Sequence, residues 1–157
     1  MVQIPMVKIS LVGNGRVGKS TIRNMLEGNG ITKTKPTVGV DVGRYSDDEL
    51  KCAVFDLGGQ DRFKCLWDDF IKGSSLVMVV TDSSRDDVEK SKDTVKSLQT
   101  KLQGSKIIAI ANKQDEANKL NAMQVEKILG VKTYPMIATE STRRNAMISI
   151  VKENLSV

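Results

Sequence analysis

Short apolar runs alternate with amphipathic stretches along this chain. Residues 76–80 and 107–111 are continuous apolar runs bounded by polar residues, a pattern typical of parallel strands that are covered on both faces. Residues 7–12 predict another strand, and apolar residues recur at helical spacing over 87–102. This alternation predicts an α/β fold, an open and mostly parallel sheet with helices on both faces.

One antiparallel pair is predicted within this sheet. Residues 39–45 alternate weakly between apolar and polar, and residues 50–55 form a second strand after a turn at Asp47 and Asp48. Strands joined by so short a turn form a hairpin. The other predicted elements are a helix from residue 21, a helix at 122–129 between its N-cap Asn121 and Gly130, a short strand at 134–138, and a helix at 143–155. Pro135 either weakens the prediction of this last strand or places it at an edge of the sheet.

Length and composition fit a single soluble domain. The chain has 157 residues, of which 39% are hydrophobic and 27% charged, and no apolar run approaches the roughly 18 residues of a transmembrane helix. Its first residues do not resemble a signal peptide, Val2 excludes N-myristoylation, and no prenylation box ends the sequence. We therefore expect a cytoplasmic protein without a membrane anchor of its own, peripheral to membranes only through a partner, with a monomer as the default.

Charge and side-chain chemistry exclude several kinds of site. The net charge of +5 comes from 24 basic and 19 acidic residues, and the basic ones are dispersed among few aromatic residues, so nucleic acid is not an expected partner. A solvated basic surface is the simpler interpretation, and weak attraction to an anionic surface is the alternative. The chain has no histidine and two cysteines without metal or disulfide spacing, so catalysis must depend on positioning, lysine, carboxylates, amides or a metal ion.

The residues after the first strand have the spacing of a phosphate-binding loop. Residues 13–20 fit G-x-x-x-x-G-K-[ST] at every fixed position and lie between a predicted strand and a predicted helix, which is the context that the motif requires. Backbone N–H groups of such a loop and the positive end of the helix surround phosphate oxygens. Lys19 would reach the β- and γ-phosphates, and the Ser20 hydroxyl would bind Mg²⁺. The nucleotide contacts predicted here are Asn14, Gly15, Arg16, Val17, Gly18, Lys19, Ser20 and Thr21.

Two further segments supply metal-binding and catalytic candidates. Asp56 follows the second hairpin strand, where an unpaired buried carboxylate would be costly, and beside a phosphate loop it suits the Mg²⁺ shell. Gly59 can offer its N–H to the γ-phosphate and Gln60 can orient an attacking water, although a surface amide is an equal alternative for Gln60 taken alone. Thr37 would complete the Mg²⁺ shell when the γ-phosphate is present; taken alone, a threonine in this polar stretch is a solvated loop residue.

The motif N-K-x-D predicts which base is bound. Residues 112–115 follow a predicted strand. The Asp115 carboxylate can accept the paired hydrogens on N1 and N2 of guanine, which adenine lacks, and such a site discriminates strongly. Asn112 would tie this loop to the phosphate loop, and the Lys113 stem would cover the base. The last predicted base contact is a backbone N–H donated to guanine O6 by Ala138 or Thr139.

These motifs resemble a small GTPase of the Ras superfamily, and within it the Arf/Sar branch. The resemblance covers essentially the whole chain, and its Arf-like parts are PTVG at 36–39, DLGGQDR at 56–62, LW at 66–67 and NKQD at 112–115. The loop at 13–20 is closer to Ras or Rab loops, and only six residues precede the predicted first strand, where Arf proteins carry an amphipathic helix. We expect a divergent Arf-related GTPase, with a prokaryotic or archaeal source as one option.

The resemblance implies a three-layer P-loop NTPase fold, the Ras-like G domain, with a six-stranded sheet in the order 2-3-1-4-5-6. It implies GTP and GDP as ligands with Mg²⁺ held at Ser20, Thr37 and Asp56, and Gln60, Lys19 and Gly59 as catalytic residues. The implied function is a molecular switch that hydrolyses GTP slowly, on the order of 10⁻⁴ per second. A GTPase-activating protein, an exchange factor and effectors would bind near Thr37 and residues 59–66, the second switch segment.

Two alternatives from other classes stay open. A nucleotide-bound structural subunit would use the fold as a docking surface. Replacement of Thr37, Gln60 or Lys19 by other residue types would favour this alternative, but all three residues are present. An ATP-dependent P-loop kinase would need a lid or substrate domain, for which 157 residues leave little room, and Asp115 favours guanine. Trp67, the only tryptophan, is expected to pack beneath the second switch segment.

Overall fold

The described residues of the computed structural model form one sheet with helices against both faces. The structure describes residues 3–28, 37, 39–60, 64 and 67–157. Its strands are β1 (Met6–Val12), β2 (Val40–Ser46), β3 (Lys51–Leu57), β4 (Leu76–Thr81), β5 (Lys106–Ala111) and β6 (Thr133–Pro135). Its helices are α1 (Lys19–Glu27), α2 (Trp67–Ile71), α3 (Arg85–Lys101), α4 (Ala122–Leu129) and α5 (Arg144–Leu155), with a 3₁₀ turn at Ser141–Arg143.

The strand order is β2-β3-β1-β4-β5-β6. The β2 strand runs antiparallel to β3, and every other neighbouring pair is parallel. The predicted order and the single antiparallel strand at an edge are therefore confirmed. In the hairpin turn, Asp47 Oδ1 accepts the N–H groups of Glu49 and Leu50, each at 2.8 Å, which explains why the chain reverses there.

Alternate residues of the central strands enter two separate cores. Met78 and Ile110 pack on the face that α1 and α5 cover. Val79 and Ala109 pack on the opposite face, under α2, α3 and α4. Successive side chains of a strand point to opposite faces, so a strand covered on both sides must be apolar throughout. This is the physical reason for the continuous apolar runs in the sequence.

Helix ends agree with the sequence where a cap marks them. Asn121 and Gln124 form a reciprocal capping box at the start of α4, and Gly130 ends that helix in a left-handed conformation, as predicted. No helix in the described part of the chain combines the length and the apolar character needed to cross a membrane.

The structure corrects several boundaries and adds one helix. The β3 strand extends to Leu57, so Asp56 lies within this strand and does not follow it as predicted. The strand predicted at 134–138 is β6, Thr133–Pro135. The Met136 N–H still donates to Ala111 O at 2.9 Å, but the neighbouring strand β5 ends at Ala111, so residues 136–138 lead into a loop. The last helix begins at Arg144 after the 3₁₀ turn, one residue later than predicted. The α2 helix was not predicted, because its five residues are too few to show a helical period.

Candidate functional site

The register of the sheet brings the predicted site residues to one edge. Leu11 of β1 pairs with Asp56 of β3 and Met78 of β4, and Thr81 pairs with Ala111 of β5. Because these strands are parallel, the loops that follow them meet at their carboxyl ends, where ligands bind in such sheets. A cavity of about 650 Å³ opens there, within the usual size of small-molecule sites.

Most of the residues predicted from the sequence line this cavity. They are Gly15, Arg16, Gly18, Lys19, Ser20, Thr21, Thr37, Gly59, Gln60, Asn112, Lys113, Asp115, Ala138 and Thr139. Asn14, Val17 and Asp56 do not line it. The Val17 side chain belongs to the core and Asp56 is fully buried, so both support the cavity from behind. Glu116 and Ile137 line it although sequence reasoning did not single them out.

The amino end of α1 opens into the cavity without a side-chain cap. Gly18 is the N-cap residue, with a φ of 106°, and no side-chain cap hydrogen bond is present. The first N–H groups of a helix have no partner inside the helix. Here they stay available for an anion and act together with the positive end of the helix dipole. This arrangement suits phosphate.

Lys19 places a buried ammonium group beside this helix end. It is 6% exposed, and its Nζ donates to the carbonyl oxygens of Gly13 at 3.2 Å and Asn14 at 2.9 Å. Burial lowers the pKa of Lys19 to about 8, although the charges of Asp56 and Asp87 oppose this shift. Burial raises the free energy of the charged form of this lysine, so an anionic ligand beside it would stabilise that form strongly. The Lys19 environment therefore also favours phosphate.

Three oxygen-bearing side chains meet at the inner end of the cavity. Ser20 Oγ donates to Asp56 Oδ2 at 2.5 Å, Thr37 Oγ1 donates to the same oxygen at 3.1 Å, and the two hydroxyl oxygens are 2.9 Å apart. Among the described residues, Asp56 Oδ1 is buried and has no hydrogen-bond partner. Hydroxyl and carboxylate oxygens are the donors that Mg²⁺ prefers, and Mg²⁺ usually takes few protein ligands because it keeps waters and binds substrate phosphates. The predicted Mg²⁺ residues therefore lie together and fit this ion.

The start of the second switch segment lies against the phosphate loop. A Cβ on Gly59 would come within 2.6 Å of backbone atoms of Gly13 and Asn14, so only glycine permits this close approach. Trp67 is 8% exposed and its Nε1 donates to Gly58 O at 3.0 Å, so it packs against the residue that precedes this segment. Residues 61–63, 65 and 66 of this segment lie outside the described residues, as do 29–36 and 38 beside Thr37.

Asn112 joins the loop after β5 to the phosphate loop, as predicted. It is 3% exposed, and its Nδ2 donates to Val17 O at 2.9 Å. Lys113 makes a second connection, because its Nζ donates to Arg16 O at 2.8 Å. The two loops that form opposite walls of the cavity are thus held at a fixed spacing.

The base end of the cavity needs one correction. Asn112 Oδ1 accepts the N–H of Ala138 at 3.0 Å, so in this structure the Ala138 amide is engaged by Asn112 and is not free for guanine O6 as predicted. Thr139 lines the cavity next to it. Asp115 also lines the cavity and is exposed, the position that its predicted role requires.

Sequence reasoning missed Asp87 and Arg23. Asp87 of α3 is 7% exposed and accepts from Asn14 Nδ2 at 2.7 Å, which ties α3 to the phosphate loop; in the sequence it looks like an ordinary acidic residue of a first helical turn. Arg23 lies one turn after Ser20, and its Nε is 3.5 Å from Asp56 Oδ2. Residues three apart share a helix face, so the spacing from Ser20 was a usable signal.

Replacing Asn112 with alanine should destabilise the ligand-free protein. The change leaves the buried Val17 carbonyl and Ala138 N–H without their partner, and we expect the free energy of unfolding to fall by about 2–3 kcal/mol. Glu116→Ala, an exposed position in the same loop, is the control and should change it by less than about 0.5 kcal/mol. Equilibrium denaturation measures both, and equal effects would contradict the structural role given to Asn112.

Comparison with known proteins agrees with this site. A profile of the ADP-ribosylation factor family matches residues 3–155. ADP-ribosylation factor J of Dictyostelium discoideum is 33% identical over 121 residues, which are 75% of this chain and 64% of that protein. ADP-ribosylation factor K of the same organism is 31% identical over 127 residues, 79% of this chain and 68% of that protein. The match thus covers slightly less than two thirds of factor J.

A solved structure has the same fold. The Arl6 BBS3 small GTPase from Trypanosoma brucei, determined with the bound nucleotide analogue GppNp, superposes with a TM-score of 0.81 over 97% of this chain and 98% of that chain, at 22% identity. This likeness confirms the predicted three-layer fold of small GTPases. The family match over nearly the whole length carries the assignment further: the chain belongs to the ADP-ribosylation factor family.

Proposed function

We propose that this protein is a guanine-nucleotide-dependent molecular switch that binds GTP and GDP with Mg²⁺ and hydrolyses GTP slowly. One observation carries the proposal: a single cavity joins the uncapped end of α1 and the buried Lys19 to the exposed carboxylate of Asp115. The first end has the chemistry for a phosphate chain and the second has the chemistry for a guanine base. Family membership and a solved relative that holds a guanine nucleotide analogue support it.

Guanine selection rests on Asp115 and on the rigidity of its loop. Gln114 Nε2 donates to Ser83 Oγ at 2.9 Å and to Leu120 O at 3.0 Å, and Asn112 holds the other side of Asp115. The loop that carries Asp115 is therefore held in place on both sides of this residue. Its carboxylate could accept the N1 and N2 hydrogens of guanine, and adenine would leave it unpaired. Thr139 remains our candidate for the contact to guanine O6.

For hydrolysis, the chain supplies positioning and charge. Ser20, Thr37 and Asp56 would hold Mg²⁺, directly or through water, and the bound ion would neutralise charge on the β- and γ-phosphates. Lys19 would add its charge to the same phosphates, and the Gly59 N–H would bind the γ-phosphate. Gln60 lines the cavity beside Gly59, where its amide would orient the attacking water.

Turnover without a partner should be slow. No arginine occurs among residues 28–36 to act as a built-in finger ahead of Thr37. Unassisted enzymes of this type turn over on the order of 10⁻⁴ per second, and an arginine supplied by an activating protein accelerates them about 10⁵-fold. We propose that the activating protein, the exchange factor and effectors bind near Thr37 and the second switch segment.

The switch itself would depend on the γ-phosphate. Thr37 and Gly59 both lie at the phosphate end of the cavity, and each would gain a contact in the GTP complex that the GDP complex lacks. Loss of these contacts after hydrolysis would release the segments that carry them. Because Trp67 packs directly under Gly58, its fluorescence should report this change.

Asp115→Ala tests the base assignment. We expect the affinity for GDP to fall about 100-fold or more, because the variant cannot accept the paired guanine hydrogens, while binding of ADP stays weak. Competition against a fluorescent GDP analogue measures both. Asp93→Ala removes an exposed carboxylate of α3 that does not line the cavity, and it should leave the affinity for GDP within about twofold. Tight ADP binding by the unmodified protein would refute the proposed base.

Gln60→Leu tests the role of the amide in hydrolysis. The hydrolysis rate in single turnover should fall by at least about tenfold because the water is no longer oriented, whereas the affinity for GTP should stay unchanged. Gln103→Leu, at an exposed position after α3, should hydrolyse GTP at the normal rate. Normal hydrolysis by the Gln60 variant would show that the water is positioned by another group.

A further inference from the structure

Arg23 lies beside the predicted Mg²⁺ residues but has no role in the switch as described. Its side chain is 16% exposed and its Nε is 3.5 Å from Asp56 Oδ2, within ion-pair distance of a carboxylate that is fully buried. Arg23 Nε and Asp56 Oδ1 are both buried without a hydrogen-bond partner, and no other buried side-chain polar atom of the described residues shares this condition. Among the described residues, Arg23 and Asp56 thus lie within ion-pair distance, while Arg23 Nε and Asp56 Oδ1 make no hydrogen bond to each other or to another group.

The surroundings hold the guanidinium in this place. Nη1 of Arg23 lies 3.2 Å from Glu27 Oε1, and Nη2 lies 3.9 Å from Asp41 Oδ2. Gly43 of β2 leaves the space that the side chain needs, since a Cβ there would lie 2.8 Å from Arg23 Cγ, closer than atoms can pack. The carboxylates of Glu27 and Asp41 thus hold the guanidinium of Arg23, and the missing side chain at Gly43 leaves room for it.

This position has opposite effects on the two states of the site. With Mg²⁺ present, Arg23 would compete for the same carboxylate and repel the ion, so the ion would be held less tightly. With Mg²⁺ absent, Arg23 remains next to Asp56 and offsets the cost of a buried carboxylate. Both effects would shift the Mg²⁺-binding equilibrium of this site towards the metal-free state.

We infer that Arg23 is a built-in counter-cation that lowers the affinity of the site for Mg²⁺ and thereby eases release of bound nucleotide. The inference rests on the proposed function, because it concerns the Mg²⁺ that accompanies the nucleotide. It goes beyond that function by naming a residue that sets how strongly nucleotide exchange depends on Mg²⁺. Arg23 acts through Asp56 and is a positioning residue, with no contact to the reacting atoms.

The test is the Mg²⁺ dependence of nucleotide release. Release of a fluorescent GDP analogue is followed over a series of free Mg²⁺ concentrations, and the concentration that gives half of the full slowing is determined. Arg23→Met removes the charge and keeps an unbranched apolar chain. It should lower this half-effect concentration about tenfold, because the positive charge beside the Asp56 carboxylate is lost.

Three variants separate charge from other effects. Arg23→Lys keeps a cation and should shift the half-effect concentration much less than Arg23→Met. Arg85→Met removes the same charge from α3, where the side chain is 68% exposed, and should leave it within about twofold. Glu27→Gln frees Arg23 from a competing carboxylate and should raise the half-effect concentration, the opposite direction.

The outcomes are distinct. An Arg23→Met value within about twofold of the unmodified protein, or a shift equal to that of Arg85→Met, would overturn the inference. If Arg23→Met does not fold, Glu27→Gln decides, and an unchanged or lowered value would overturn it. Failure of the unmodified protein to bind the GDP analogue at any Mg²⁺ concentration would overturn both the inference and the proposed function.

Discussion

The site depends on a helix that begins without a cap at the carboxyl edge of a parallel sheet. Because no side chain caps the first turn of α1, its N–H groups remain available at the edge of the sheet where the loops that line the cavity converge. The contacts around it preserve this opening: Asn112 and Lys113 hold the phosphate loop from one side, and Asp87 holds it through Asn14 from another. Lys19 adds a positive charge that burial makes costly. An anionic ligand would accept hydrogen bonds from the N–H groups at the start of α1 and would pair with the charge of Lys19. The uncapped helix start therefore accounts for the proposed ligand.

Buried charge also determines the properties of the end of the cavity where the predicted Mg²⁺ residues lie. Asp56 is fully buried, and only one of its oxygens accepts hydrogen bonds in the described structure. Ser20 and Thr37 supply the hydroxyl groups next to it, and Arg23 supplies a cation that is always present. A carboxylate placed between a fixed cation and an exchangeable one is a means of adjusting how long the exchangeable one stays. In this account, the binding of nucleotide and its release are set by neighbouring residues of α1.

Much of the fold and most of the site could be predicted from the sequence, because the relevant signals are local. Residues 13–20 and 112–115 have fixed spacing after apolar strands, and the parallel sheet brings the ends of such strands together. The engagement of the Ala138 amide by Asn112 and the contact between Asp87 and Asn14 join residues 26 and 73 positions apart, and no local pattern records them. Arg23 was predictable only in part. Its position on the same face of α1 as Ser20 could be read from the spacing, but the space that Gly43 of β2 leaves for its side chain could not.

The most direct test of the central claim is to identify the nucleotide that the purified protein carries. The protein is denatured, and the released nucleotide is identified and quantified by chromatography against guanine and adenine standards. We expect GDP or GTP at close to one molecule per chain. Adenine nucleotide in the same amount, or no nucleotide together with no affinity for added GTP, would contradict the assignment of Asp115 and the switch built on it.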